Sequence, residues 1–339
     1  MITKILKFLP TFALAAILGS CSDGGVYNFE NGDDAISVYQ QYLHEVRGVH
    51  TSNTKDFTAE LCKWREVNDT VWRYLQRHPD YLNVHGHAGQ FAEIHDSVRY
   101  EMLRLTETWR YSYEDVLNIK EHSSSFRDDK DLQQAVDEAE PVFCSMDSLP
   151  LINADKATLL TQYKLFLVEQ KNTTFQSKEE MIAFLKYEDQ YFRSFLSHLY
   201  EMEGTSLTEI TKNTEAVCMN IFLAAREGRI SARDAMVYMS MRTVRRLLQN
   251  SVACVSDINT QNMNSKAQSN AYLWMIIQPF ISIDQFSIAT LTPKEKSNFN
   301  YIISRLPKSS RFAQAFDIEQ HSLNYLLPQQ LLKIYVLSL

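Results

Sequence analysis

An all-α protein of about ten helices, packed as a multi-helix bundle in one or two lobes, is what the sequence predicts. Three observations carry that expectation. Glycine is scarce: of nine in 339 residues, only Gly48, Gly86, Gly89, Gly204 and Gly228 stand beyond residue 34, where average usage near 7% predicts about twenty. Sheets and their turns consume glycine, so its scarcity argues against strands. Helix-start chemistry recurs: Ser177 with Glu180, Ser206 with Glu209 and Thr292 with Glu295 are capping boxes, and Ser231 with Asp234 is a weaker relative. Pro293 stands at the first helical position of the third box, where its missing N–H costs nothing. Apolar residues step at three and four: Leu61, Trp64, Val71 and Leu75 form one stripe, and Phe91, Ile94, Val98, Leu105 and Trp109 another.

These marks place helices over 34–47, 55–77, 88–120, 128–147, 154–170, 178–203, 207–227, 232–258, 265–281, 293–305 and 318–338, the last broken near Pro328. Gly204 and Gly228 fall just past apolar periodic runs, where a left-handed residue closes a helix. The run from Ala271 to Ile283 is nearly all apolar but short of a membrane span, so it predicts a helix buried in the core. No internal repeat appears. A polar, proline-containing stretch over 141–155 is where two lobes of the body, residues 35–339, would part.

The N-terminus carries a separate message. Lys4 and Lys7 precede an apolar run from Phe8 to Leu18, too short to span a bilayer but suited to an export signal. The run ends in Leu18, Gly19, Ser20 and Cys21. This order resembles the lipobox of bacterial lipoproteins: an aliphatic residue, two small residues, then the cysteine that takes the lipid. The resemblance covers residues 1–21 and says nothing of the fold behind them. It implies that residues 1–20 are a removable signal, that Cys21 becomes the lipidated N-terminus, and that the chain is held on a membrane of a bacterial cell envelope, the outer one favoured over the inner. Several acyl chains at about 0.8 kcal/mol per buried CH₂ make a firm anchor. Residues 21–34 hold three of the nine glycines and four acids with no base, the composition of a solvated tether.

Loss of residues 1–20 removes two of 34 basic residues and leaves 32 against 41 acidic ones, a net charge of −9. That balance excludes a general nucleic-acid surface. Four cysteines follow the anchor, Cys62, Cys144, Cys218 and Cys254. In an oxidising envelope they allow two disulfides with three pairings, or act as buried thiols. A simple hairpin turning near Gly228 forbids the pair Cys218–Cys254, because the arms differ by roughly 20 Å at 1.5 Å per residue.

Two constellations could carry chemistry. His85 and His87 flank Gly86, and His95 stands between Glu93 and Asp96. Imidazole and carboxylate suit zinc or iron, and a loop at Gly86 would let two imidazoles meet one ion. Arg242, Arg245 and Arg246, with Gln249, recur at i, i+3, i+4 and i+7, so they share a helix face that could meet lipid phosphates, acidic sugars or a partner's carboxylates, although such a face is more often solvated and paired with Glu from the neighbouring helix. The nucleophile elbow, phosphate-binding glycine loop, dinucleotide fingerprint and paired-cysteine zinc motif are absent from the sequence. Acid pairs such as Glu188 and Asp189 are too common on helices to indicate glycosidase chemistry. The expectation is therefore a lipid-anchored, non-catalytic component that binds an envelope protein or glycan and needs no cofactor. Its rivals are a metal-dependent envelope enzyme using His85, His87 and His95, and a helical carrier of an apolar ligand.

Overall fold

The computed structural model describes residues 29–83, 86–170, 174–197, 217–260, 266–306, 319 and 322–339. Its regular structure is helical, with no strand among the described residues, as the glycine count predicts. Two compact units divide the chain: Met1–Arg127 with Asn324–Leu339, and Asp128–Leu323. The stretch over 141–155, expected as a seam, lies inside the second unit.

In the first unit, α1 (Gly32–Arg47) begins at Asn31, whose side chain accepts from the Asp34 N–H at 3.0 Å. Asp33 and Asp34 in the first turn face the positive end of the helix dipole. The helix thus takes over the last three residues of the expected tether. It can start there because residue 32 is glycine: a Cβ would stand 2.4 Å from the Tyr81 ring. Helix α2 (Thr54–Arg77) is capped by Asn53 and buries Phe57, Leu61, Trp64, Val67, Val71 and Leu75. A single turn, α3 (Pro79–Leu82), leads to α4 (His87–Leu105), which buries Ile94, Val98, Met102 and Leu105.

The helix expected over 88–120 is two helices, α4 and α5 (Tyr113–His122). Side chains take over backbone partners at the break: the Thr106 and Thr108 hydroxyls donate to the carbonyls of Leu103 (2.7 Å) and Leu105 (2.8 Å). Ser112 and Asp115 then form a reciprocal capping box that restarts the helix. Trp109, assigned by spacing to the buried stripe, lies in this connection and is exposed. The C-terminal helix Leu327–Ser338 closes the unit, burying Leu331, Leu332, Tyr335 and Val336. Tyr335 is bonded to Ser123 at 2.8 Å, and Gln329 donates to the Thr106 carbonyl at 3.1 Å. Pro328 falls in its first turn, behind a π-helical turn over Ser322–Leu326.

The second unit holds α6 (Lys130–Met146), α7 (Lys156–Gln170), α8 (Lys178–Leu196), a helical stretch over 217–226, α9 (Ala232–Thr260), α10 (Lys266–Ser282), α11 (Gln285–Ala289) and α12 (Pro293–Arg305). Helix α9 has 29 residues, about 43 Å at 1.5 Å per residue. Helices α6, α8, α10, α11 and α12 pack along it. Pro141 is tolerated inside α6 because Pro141 and Asp137, whose carbonyl loses its donor, both face solvent. The predicted caps at Ser177, Ser231 and Thr292 all form. Gly228, at φ +72°, ends the 217–226 stretch: the Arg229 N–H reaches the Ala224 carbonyl at 2.9 Å and the Gly228 N–H reaches Ala225 at 3.0 Å. That pair of bonds is a Schellman motif. Gly204 and the Ser206–Glu209 box lie outside the described residues. Helix α10 buries Tyr272, Ile276 and Phe280, with Ile283 just beyond its end, and leaves Trp274 exposed. No helix among the described residues is long and apolar enough to cross a membrane.

Candidate functional site

The arginine face of α9 pairs with acids of a neighbouring helix, as such faces commonly do, but it is buried rather than solvated and presents no open binding surface. Arg242, Arg245 and Arg246 are buried, at 3–5% exposure. Their partners are the adjacent acids Glu188 and Asp189 on α8, which occupy the same helical phase as the core residues Met181, Leu185, Phe192 and Phe195. Arg242 grips Glu188 with two bonds, Nε to Oε2 at 2.8 Å and Nη2 to Oε1 at 2.6 Å. Arg245 does the same to Asp189, at 2.9 and 3.1 Å, and also reaches Asp147 at 2.8 Å. Arg246 shares Glu188 at 3.2 Å, donates to the Tyr163 hydroxyl at 3.1 Å, and lies 4.1 Å over the Phe192 ring. Arg193 adds a bond to Asp189 at 2.8 Å, and Lys294 pairs with Asp147 at the edge.

Three buried guanidiniums thus meet three carboxylates, in the paired geometry that buried charge requires. Burial alone would raise the carboxyls of Glu188 and Asp189; the surrounding arginines outweigh it and hold both below the usual carboxylate range. The space left among these side chains is about 10 Å³, no more than about one water probe. No phosphate, sugar or partner carboxylate has room there, so the cluster is internal structure.

Cys62, Cys144, Cys218 and Cys254 are all free thiols. Cys254 is buried, 3.9 Å from the Met275 sulfur, Cys218 takes a contact from Arg242 Nη1 at 3.6 Å, Cys62 faces the His122 carbonyl at 3.5 Å, and Cys144 is exposed.

Cys21 and His85 lie outside the described residues. His87 stacks on Tyr81 with ring centroids 4.0 Å apart, and its Nδ1 bonds the Tyr81 carbonyl at 2.9 Å. His95 is the centre of a polar network between α1, α2 and α4. Arg99 Nη2 donates to its Nε2 at 2.9 Å. A guanidinium only donates, so the ring proton sits on Nδ1, which faces Tyr39 Oη at 2.9 Å and Asn68 Oδ1 at 3.1 Å. Tyr39 in turn accepts from Trp64 Nε1 at 3.1 Å. Burial, and after it the Arg99 charge, pushes the His95 pKa down and keeps the imidazole neutral. Both ring nitrogens are therefore engaged by protein groups. Among the described residues, no group of three His, Cys, Asp or Glu side chains is placed to hold a metal ion.

Beside this network the first unit opens into a cleft of about 360 Å³, lined by Trp72 of α2, Leu82 of α3, and Ala88, Phe91, Ala92, His95, Asp96 and Arg99 of α4. The α4 residues recur at spacings of three and four, so one helix face forms a wall. Trp72 stacks on Phe91 with centroids 5.3 Å apart and planes 26° from parallel. Sequence spacing pointed to His95 and Asp96 but missed Trp72 and Arg99. The one available sign was an aromatic residue beside, rather than on, the buried stripe of α2. Compared with protein-family models, with curated proteins and with solved structures, the chain matches none.

Proposed function

We propose that the chain is a lipid-anchored component of a bacterial cell envelope that binds a partner without transforming it, attached through Cys21 and presenting the cleft of its first unit. The anchor rests on the order of Lys4, Lys7, the apolar run and Leu18-Gly19-Ser20-Cys21. The observation that carries the binding role is the cleft itself. It exposes an aromatic platform, while its titratable imidazole is already held by Arg99, Tyr39 and Asn68. Among the described residues, its lining carries no hydroxyl or thiol. An aromatic platform beside a few polar groups is the make-up of a recognition site. The arginines of α9 do not serve this role, since their charges are spent on Glu188, Asp189 and Asp147.

In-cell crosslinking of the lipidated chain, with Cys21→Ala and Trp72→Ala forms alongside, tests the proposal. It expects one dominant envelope protein or glycan captured from the anchored chain and lost on Trp72→Ala. Capture of no enriched partner, together with near-stoichiometric zinc or iron in the purified chain, overturns it in favour of a metal-dependent enzyme.

A further inference from the structure

We infer that the cleft between α2, α3 and α4 is a site for a neutral sugar ring, an assignment that rests on the binding role proposed above and names its ligand class. At about 360 Å³ the cleft lies at the small end of ligand pockets, which span roughly 300–1,000 Å³. That volume has room for a short glycan unit. Its wall is a ready platform: Trp72 is 39% exposed and held against Phe91, so a ligand meets an indole already fixed in place. The axial C–H bonds of a pyranose carry partial positive charge and pack on the electron-rich face of such a ring. Ala88 and Ala92, one turn apart on α4, leave the room that larger side chains would fill.

The polar rim selects among ligands. The Asp96 carboxylate, 73% exposed, spends one oxygen on Arg99 Nη1 at 3.3 Å. The Arg99 side chain, 28% exposed, reaches Asp96 through Nη1 and His95 through Nη2. An exposed acceptor thus stands beside a partly exposed guanidinium. Adjacent sugar hydroxyls, each donor and acceptor at once, match that arrangement. Charge points the same way. Asp96 and Arg99 cancel, and His95 is neutral, so the cleft favours neither an anion nor a cation.

The test uses the full lipidated chain in phospholipid nanodiscs with cellobiose, maltose, lactose and diacetylchitobiose as probes, read by saturation-transfer NMR. The inference expects saturable transfer to ring C–H protons from at least one of the four. Trp72→Ala should then weaken binding by about tenfold or more, as loss of an aromatic anchor does, and Asp96→Asn by about fivefold, in chains whose helical circular dichroism at the assay temperature matches that of the parent. Transfer that survives Trp72→Ala overturns the site. Binding of none of the four sugars overturns the ligand class, as does a fatty acid that binds in their place. In either case the crosslinking of the anchored chain still decides the binding role separately.

Discussion

Glu188→Gln keeps the shape of the side chain at the centre of the α8–α9 network and removes its charge. Glu188 is 1% exposed and takes three guanidinium bonds, two from Arg242 and one from Arg246. The substitution takes the charge from the two-point grip on Arg242, whereas Arg246 keeps the Tyr163 hydroxyl and the Phe192 face. Breaking a buried pair from one side costs about 3–5 kcal/mol. A Coulomb estimate of about 4 kcal/mol for unit charges 4 Å apart at an effective dielectric of 20 falls in the same range. Amide exchange in α8 and α9, resolved by mass spectrometry, should therefore speed up by about two to three and a half orders of magnitude at 1.4 kcal/mol per tenfold. The double substitution Glu188→Leu with Arg242→Met should recover part of the protection, because it removes the Arg242 charge along with its partner and leaves Arg246 on the Tyr163 hydroxyl and the Phe192 face. The same network sets an acid limit. With folded pKa values below the unfolded ones, Glu188 and Asp189 contribute stability that is complete above about pH 4.3 and is lost as pH falls through their lower folded values. A cost below about 1 kcal/mol for Glu188→Gln, the range of an exposed pair, would refute the claim that the arginine face is closed.

Three further outcomes follow from the geometry. Glu295 is buried with Oε2 lacking a partner, and burial raises its carboxyl, so its contribution falls as pH rises through the raised value. Glu295→Gln should accordingly stabilise the chain at pH 7, by about 0.5–1 kcal/mol in urea unfolding, and a loss of stability would contradict that sign. Gly32→Ala forces a Cβ into the Tyr81 ring. It should cost about 1–3 kcal/mol, seen as a lowered thermal midpoint, and an unchanged midpoint would show that Tyr81 does not hold the start of α1. His95 has a folded pKa below its unfolded one, so α1 and α4 should be stable above about pH 6.5 and lose exchange protection as pH falls below it. Protection of α1 and α4 that holds flat from pH 7 to 5 would remove Arg99 and burial as the controlling influences.

Much of the fold was legible because helix starts are local chemistry. The caps at Ser177, Ser231 and Thr292 each sit within four residues of the group they satisfy. The break after Leu105 was hidden because Leu105 and Trp109 keep helical spacing across it, although Ser112 with Asp115 carried the capping signal. The arginine face shows a different limit. Spacing placed Arg242, Arg245 and Arg246 together, but a solvated charged face and a buried one share that spacing. The sign of burial came from α8, where Glu188 and Asp189 interrupt the phase of Leu185, Phe192 and Phe195. The cleft was least legible, since it arises where Trp72, Leu82 and Phe91 meet from three helices. No local pattern encodes such a meeting.

The most direct test of the proposed anchored role is the intact mass of the mature chain extracted from cell membranes. The anchored role requires a chain that begins at Cys21, heavier by a thioether-linked diacylglyceryl group. A chain that retains residues 1–20, or one cut elsewhere with Cys21 unmodified, would contradict it.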